Sequence, residues 1–92
     1  MIIKTDGQFY LKANVNGHAA SSFVVYISGV YSTATVKLVY KDGFGNFIDL
    51  EDGNLASNTQ NIVNAGKDAA IFLDVSGADG STNIAVDVRG VL

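Results

Sequence analysis

The sequence predicts an all-β fold, a seven-stranded antiparallel β-sandwich of jelly-roll or Ig-like type. Three observations carry that expectation. Apolar residues alternate with polar ones in several short runs, the period of a strand with one face buried. Turn signals recur every 8–12 residues, such as Asn16-Gly17, Ser28-Gly29, Asp42-Gly43 and Gly53-Asn54. Residues 22–40 also repeat, without a gap, as residues 70–88 at an offset of 48. Phe23, Val25 and Ile27 fall on Ile71, Leu73 and Val75, and Ser28-Gly29 falls on Ser76-Gly77. Val36, Leu38 and Tyr40 fall on Ile84, Val86 and Val88. Each copy reads as strand, connection and strand. Two pseudo-equivalent hairpins, one in each of two facing sheets, are expected.

The elements follow in order. Phe9, Leu11, Ala13 and Val15 alternate with polar residues and Tyr10, which makes 8–16 the first strand. Asn16-Gly17 turns it back. The second strand is 21–28, ended by Ser28-Gly29, and the third is 34–41. Asp42-Gly-Phe-Gly-Asn46 is a hairpin turn, its glycines free to take positive φ. A fourth strand covers 46–50, and Glu51-Asp-Gly-Asn54 is a further turn. Leu55, Ile62 and Val63 anchor a short strand at 59–64, and 69–75 and 82–91 complete the set. A helix is excluded because no window carries helical apolar spacing and β-branched residues dominate the apolar runs.

Ninety-two residues, 48% of them apolar, suffice for one domain spanning 1–92 with a core of its own. There is no cysteine to form disulfides and no proline to interrupt a ladder. Six basic residues are scattered through a chain of net charge −3, which excludes an extended phosphate-binding surface, so nucleic acid is not an expected partner. No stretch has the length of a membrane-spanning helix, and the N-terminus lacks the pattern of a signal peptide. The expectation is a protein made in the cytoplasm, without a membrane partner.

Chemistry-bearing constellations are sparse. His18 is the one histidine and reads as a solvated turn residue. No serine sits in a Gly-x-Ser-x-Gly elbow. Asp42, Asp49, Glu51 and Asp52 with Asn46 and Asn54 raise the question of calcium, but Phe44 occupies a position where an EF-hand loop needs a ligand. No catalytic residue, metal or cofactor is expected, and the chain is read as a non-enzyme. The outward positions of the two copies differ more informatively. The second carries Phe72, Asp74, Asn83, Ala85 and Asp87, a face for water. The first carries Val24, Tyr26, Thr35, Lys37 and Val39, apolar around Val24, Tyr26 and Val39, a face for a partner or for residues 55–68 folded over it. Phe44 at a hairpin tip and Phe47 beside it join Val24, Tyr26 and Val39 as expected contact residues.

From about residue 28 onward the chain resembles small accessory structural proteins of tailed bacteriophage virions. The residues that carry the resemblance are Ser28-Gly29, Ala34-Thr-Val-Lys-Leu-Val-Tyr40, Asp42-Gly43 and Phe47-Ile-Asp-Leu50. Ile71-Phe-Leu-Asp-Val-Ser-Gly-Ala78 and Asn83-Ile-Ala-Val-Asp-Val88 complete them. Phe47 stands where such families often carry tryptophan. The resemblance implies a β-sandwich with a virion location. It implies a capsid decoration (cement) protein on the major capsid protein or another virion protein, with homo-oligomers within its range. Its alternative is a tail-fibre or carbohydrate/receptor-binding module, for which Tyr10, Tyr26 and Tyr31 are the available platforms.

Overall fold

A computed structural model describes residues 1–11, 22–64 and 69–91. Eight strands lie among them: β1 (Ile2–Ile3), β2 (Gly7–Tyr10), β3 (Ser22–Val30), β4 (Thr35–Lys41), β5 (Phe47–Asn54), β6 (Thr59–Asn64), β7 (Ala70–Ser76) and β8 (Asn83–Val91). They form two four-stranded antiparallel sheets, ordered β1-β8-β3-β6 (sheet A) and β2-β7-β4-β5 (sheet B). First pairs with last, second with seventh, third with sixth and fourth with fifth. That nesting is the jelly roll, which decides between the two sandwich types expected.

The inward residues are those the alternation points to. Phe23, Val25 and Ile27 of β3 meet Val36 and Leu38 of β4, Ile71, Leu73 and Val75 of β7, and Ile84, Val86 and Val88 of β8 in one core. Ile3, Leu11, Leu55 and Val63 close its margins. The eighth strand is β1, too short to show a period. Its place is set by the Met1 ammonium donating to the Val86 carbonyl at 2.9 Å and the Val86 amide donating to the Met1 carbonyl at 2.8 Å.

Two expectations are corrected. The repeated units are not hairpins, because β3 and β4 lie in different sheets, as do β7 and β8. Each unit is an arch that crosses from one sheet to the other. At the crossings three side chains bind one arch to its counterpart. Ser32 Oγ donates to Asp79 Oδ2 at 2.6 Å, Thr33 Oγ1 to the Gly77 carbonyl, and Thr82 Oγ1 to the Tyr31 carbonyl at 3.0 Å. Ser32, first among its causes, holds the Asp79 carboxyl below its ordinary range. The second correction concerns residues 51–54, expected as a turn. They continue β5 as a bulge, since Lys37 faces Asn54 while Val39 faces Asp49. Only glycine allows that register: a Cβ on Gly53 would lie 2.9 Å from the Leu38 carbonyl oxygen and 3.0 Å from that of Leu50.

The duplication extends beyond the two arches. Adding 48 residues carries β1 into β5, β3 onto β7 and β4 onto β8, and β2 corresponds to β6 by order. The same mapping turns the order of sheet A into that of sheet B. Val25 faces Val88, while its counterpart Leu73 faces Leu38, two residues from the counterpart of Val88. A shift of two preserves the buried face, so both registers serve one core.

Candidate functional site

Every strand that buries one face presents another, and the two outer faces differ. On sheet B, Tyr10, Phe72 and Val39 lie in one row across β2, β7 and β4. Phe47 on β5 reaches over β4 to meet Phe72 edge to face, with ring centroids 5.4 Å apart and planes at 88°. Tyr10 packs on Phe72 from the other side at 5.1 Å. Beneath this cluster Val39 is 1% exposed, although it belongs to no part of the central core. The Lys41 ammonium stands 5.7 Å from the Phe47 ring centre and 5.9 Å from that of Phe72, within cation–π range.

The next row is polar. Gln8 Nε2 donates to Asp74 Oδ1 at 2.8 Å, Lys37 Nζ sits 3.0 Å from Asp49 Oδ1, and Asp74 Oδ2 lies 4.0 Å from the same ammonium. The hydrogen bond to Asp49, the largest cause, raises the Lys37 pKa. An apolar stripe of about four side chains is thus bordered by a ladder of alternating charge. Tyr10 and Phe47 each remain 44% exposed. The pattern has the make-up of a protein contact patch, aromatic at its centre and polar at its rim.

The outer face of sheet A carries Tyr26 and Val24 beside Ile62, which is 61% exposed. Asp87 and Arg89, opposite Tyr26 and Val24, pair with each other at 3.1 Å. Residues 59–64 form a strand beside β3 and do not fold over Val24 and Tyr26. The five expected contact residues are therefore split. Val24 and Tyr26 lie on one outer face and Val39 and Phe47 on the opposite one. Val39 is corrected from contact residue to support, since nothing can touch it until the aromatics above move. Phe72, expected to face water, is the hub of the cluster. Lys41 was not singled out, and its signal was the outward alternation it shares with Val39.

Phe44 is 93% exposed at the tip of the β4–β5 turn. The turn beneath it is firmly built. The amides of Phe44 and Asn46 donate to Asp42 Oδ1 at 2.8 and 2.9 Å, and the Asp42 amide donates to the Asn46 carbonyl at 2.9 Å. The Asn46 amide leads the causes that hold the Asp42 carboxyl below its ordinary range. A depressed carboxyl contributes stability above its unfolded pKa and loses it as pH falls through the folded value. Asp42→Asn is expected to flatten the acid side of a melting-temperature profile taken between about pH 5 and pH 2. An unchanged profile would remove Asp42 from the acid response.

Asp42 is thus committed to its turn and Asp49 to Lys37. Among the described residues no three His, Asp or Glu side chains converge as metal ligands would. The hydroxyls of Ser22, Ser32 and Ser57 are each engaged in a hydrogen bond, to Asn64 Oδ1, Asp79 Oδ2 and the Gly29 carbonyl. His18, Asn16-Gly17 and residues 12–16 of the expected first strand lie outside the described residues. Comparison of the chain with protein families, curated proteins and solved structures finds no match.

Proposed function

We propose that this chain is a non-enzymatic structural protein of a tailed-phage virion, a decoration protein that docks on the major capsid protein through the outer face of sheet B. The Tyr10–Phe72–Phe47 cluster under Lys41 is the observation that carries the docking face. It is pre-ordered by its own ring contacts, so binding costs little side-chain entropy. The phage setting rests on the sequence resemblance, and the jelly roll suits it without requiring it, because fold does not dictate function.

The carbohydrate reading keeps Tyr26, 43% exposed, as a platform but is the weaker one on the outer face of sheet B and at Tyr31. A stacking platform offers open ring faces, whereas Phe47 stands perpendicular to Phe72 and the Lys41 ammonium lies over both. Tyr31, a candidate platform, uses its hydroxyl on the Leu55 and Ala56 carbonyls, each at 3.1 Å, and burial pushes its pKa up to about 12.

Co-sedimentation with purified shells of a tailed-phage major capsid protein, taken from the genome that encodes this chain, tests the proposal. The wild-type chain is expected to pellet with the shells. Tyr10→Asp and Phe47→Asp are expected to lose about thirtyfold in affinity, the effect of a central contact residue worth about 2 kcal/mol. Melting curves of both variants separate lost binding from lost fold. Wild-type protein left in the supernatant, or folded variants that bind undiminished, would end the proposal. Selective capture of a glycan from an array would replace it.

A further inference from the structure

We propose that copies of this chain associate head to tail, with Phe44 of one copy entering an apolar notch at the far end of the next. The notch, of about 380 Å³, is lined by Tyr31, Ala34, Val36, Asn54, Leu55 and Ala56. Its walls are fixed: the Tyr31 hydroxyl is anchored on the Leu55 and Ala56 carbonyls, and the Leu55 amide donates to the Val36 carbonyl at 2.9 Å. Among the described residues no charged side chain lines it, so a phenyl ring enters without stranding an ion. The Tyr31 ring offers an aromatic partner.

Knob and notch sit at opposite ends of the β4–β5 pair. The notch surrounds Thr35 and Val36 at the start of β4 and Asn54 at the end of β5, while the Asp42–Asn46 turn joins the other ends. Seven residues of β4 separate them, roughly 20 Å at the rise of a strand. A surface that fits a different surface of the same molecule forms a heterologous contact, which propagates as a ring or a filament. The Asp42 hydrogen bonds hold Phe44 outward before any partner arrives, which spares the ordering cost of a flexible loop. The contact is small and belongs to the weak class that matters where copies are crowded. It uses neither outer sheet face and does not rest on the docking proposal.

Sedimentation velocity on the full chain, from about 10 μM to about 1 mM, tests it by reading the weak range directly. The wild-type weight-average mass is expected to climb with concentration. Phe44→Asp, which removes the knob, and Ala56→Trp, which fills the notch, are each expected to stay monomeric with an unchanged melting temperature. An equimolar mixture of the two retains one intact knob and one intact notch, and is expected to stop at a dimer. Wild-type protein that stays monomeric throughout overturns the proposal, as does a mixture of folded variants that fails to dimerise. A monomeric wild type whose Phe44→Asp variant alone loses shell binding would overturn it too, by assigning the knob to the shell.

Discussion

Gly29→Val is expected to lower the melting temperature by roughly 12–24 °C, as a loss of about 3 kcal/mol does in a domain of this size. Two independent causes act at this position. The Gly29 backbone has φ +108°, where a β-branched residue is strongly disfavoured. A Cβ built there would also collide with the Asn83 carbonyl oxygen, which belongs to the backbone of β8 and cannot swing aside. Gly29 faces Ile84 in the β3–β8 ladder, one residue before β3 ends, so relief would pull apart the central pair of sheet A just where the first arch begins. Gly77 is the counterpart in the second arch, with φ +74° and a Cβ position 2.9 Å from the Thr33 carbonyl oxygen. At both Ser-Gly positions the glycine has positive φ and a neighbouring backbone carbonyl where a Cβ would lie, that of Asn83 in β8 for Gly29 and that of Thr33 in the first arch for Gly77. Gly43→Ala is the control, because a Cβ there meets nothing within 4 Å, and a change of no more than about 0.5 kcal/mol is expected. Thermal melts of both variants read the difference. A Gly29→Val protein that melts within a few degrees of wild type would show that the crossing does not depend on this contact.

Phe23→Ala is expected to cost about 3–5 kcal/mol, from lost apolar transfer and the cavity left behind. Phe23 is fully buried and is the largest such side chain among the described residues. It sits on β3 opposite Val63 of β6 and Gly90 of β8, in the middle of sheet A, where the backbone on both sides is held by ladders and cannot collapse into a void. A domain of 92 residues has roughly 5–14 kcal/mol in total, so this one change removes a large share. Chemical denaturation is expected to show a lower midpoint with an unchanged slope, the sign of lost stability without a change in the unfolded ensemble. Phe23→Leu, closer in volume, is expected to recover most of the loss. Equal midpoints for the alanine variant and the wild type would mean that the β3 face does not organise the core.

These two residues show what alternation conveys. Phe23, Val25 and Ile27 and their counterparts Ile71, Leu73 and Val75 reach the core as a period of two predicts. Strand existence, inward face and the positions of most turns were legible for that reason. The partner of each strand was not. In a sandwich both sheets point their apolar sides at one core, so an arch between sheets and a hairpin within one present the same pattern. The distinction lies in the pairing of β3 with β8 and β4 with β7, and the hydrogen bonds of Ser32, Thr33 and Thr82 that accompany it also join residues about 50 apart in sequence.

The outer aromatic surface was legible in part for a related reason. Phe44 and Phe47 announced themselves as aromatics at a turn. Val24, Tyr26 and Val39 were rightly outward, but shared outward facing does not mean a shared face once β3 and β4 belong to different sheets. The Tyr10–Phe72–Phe47 cluster joins β2, β7 and β5, three strands brought together by the nested pairing alone.

Composition and period, which are properties of neighbouring residues, were enough to establish an all-β duplicated chain and its buried faces. Which strands share a sheet, which aromatics touch, and that a knob and a notch stand at opposite ends of one β-ribbon were decided by tertiary structure. Those features depend on contacts between residues far apart along the chain, and a local pattern carries no record of them.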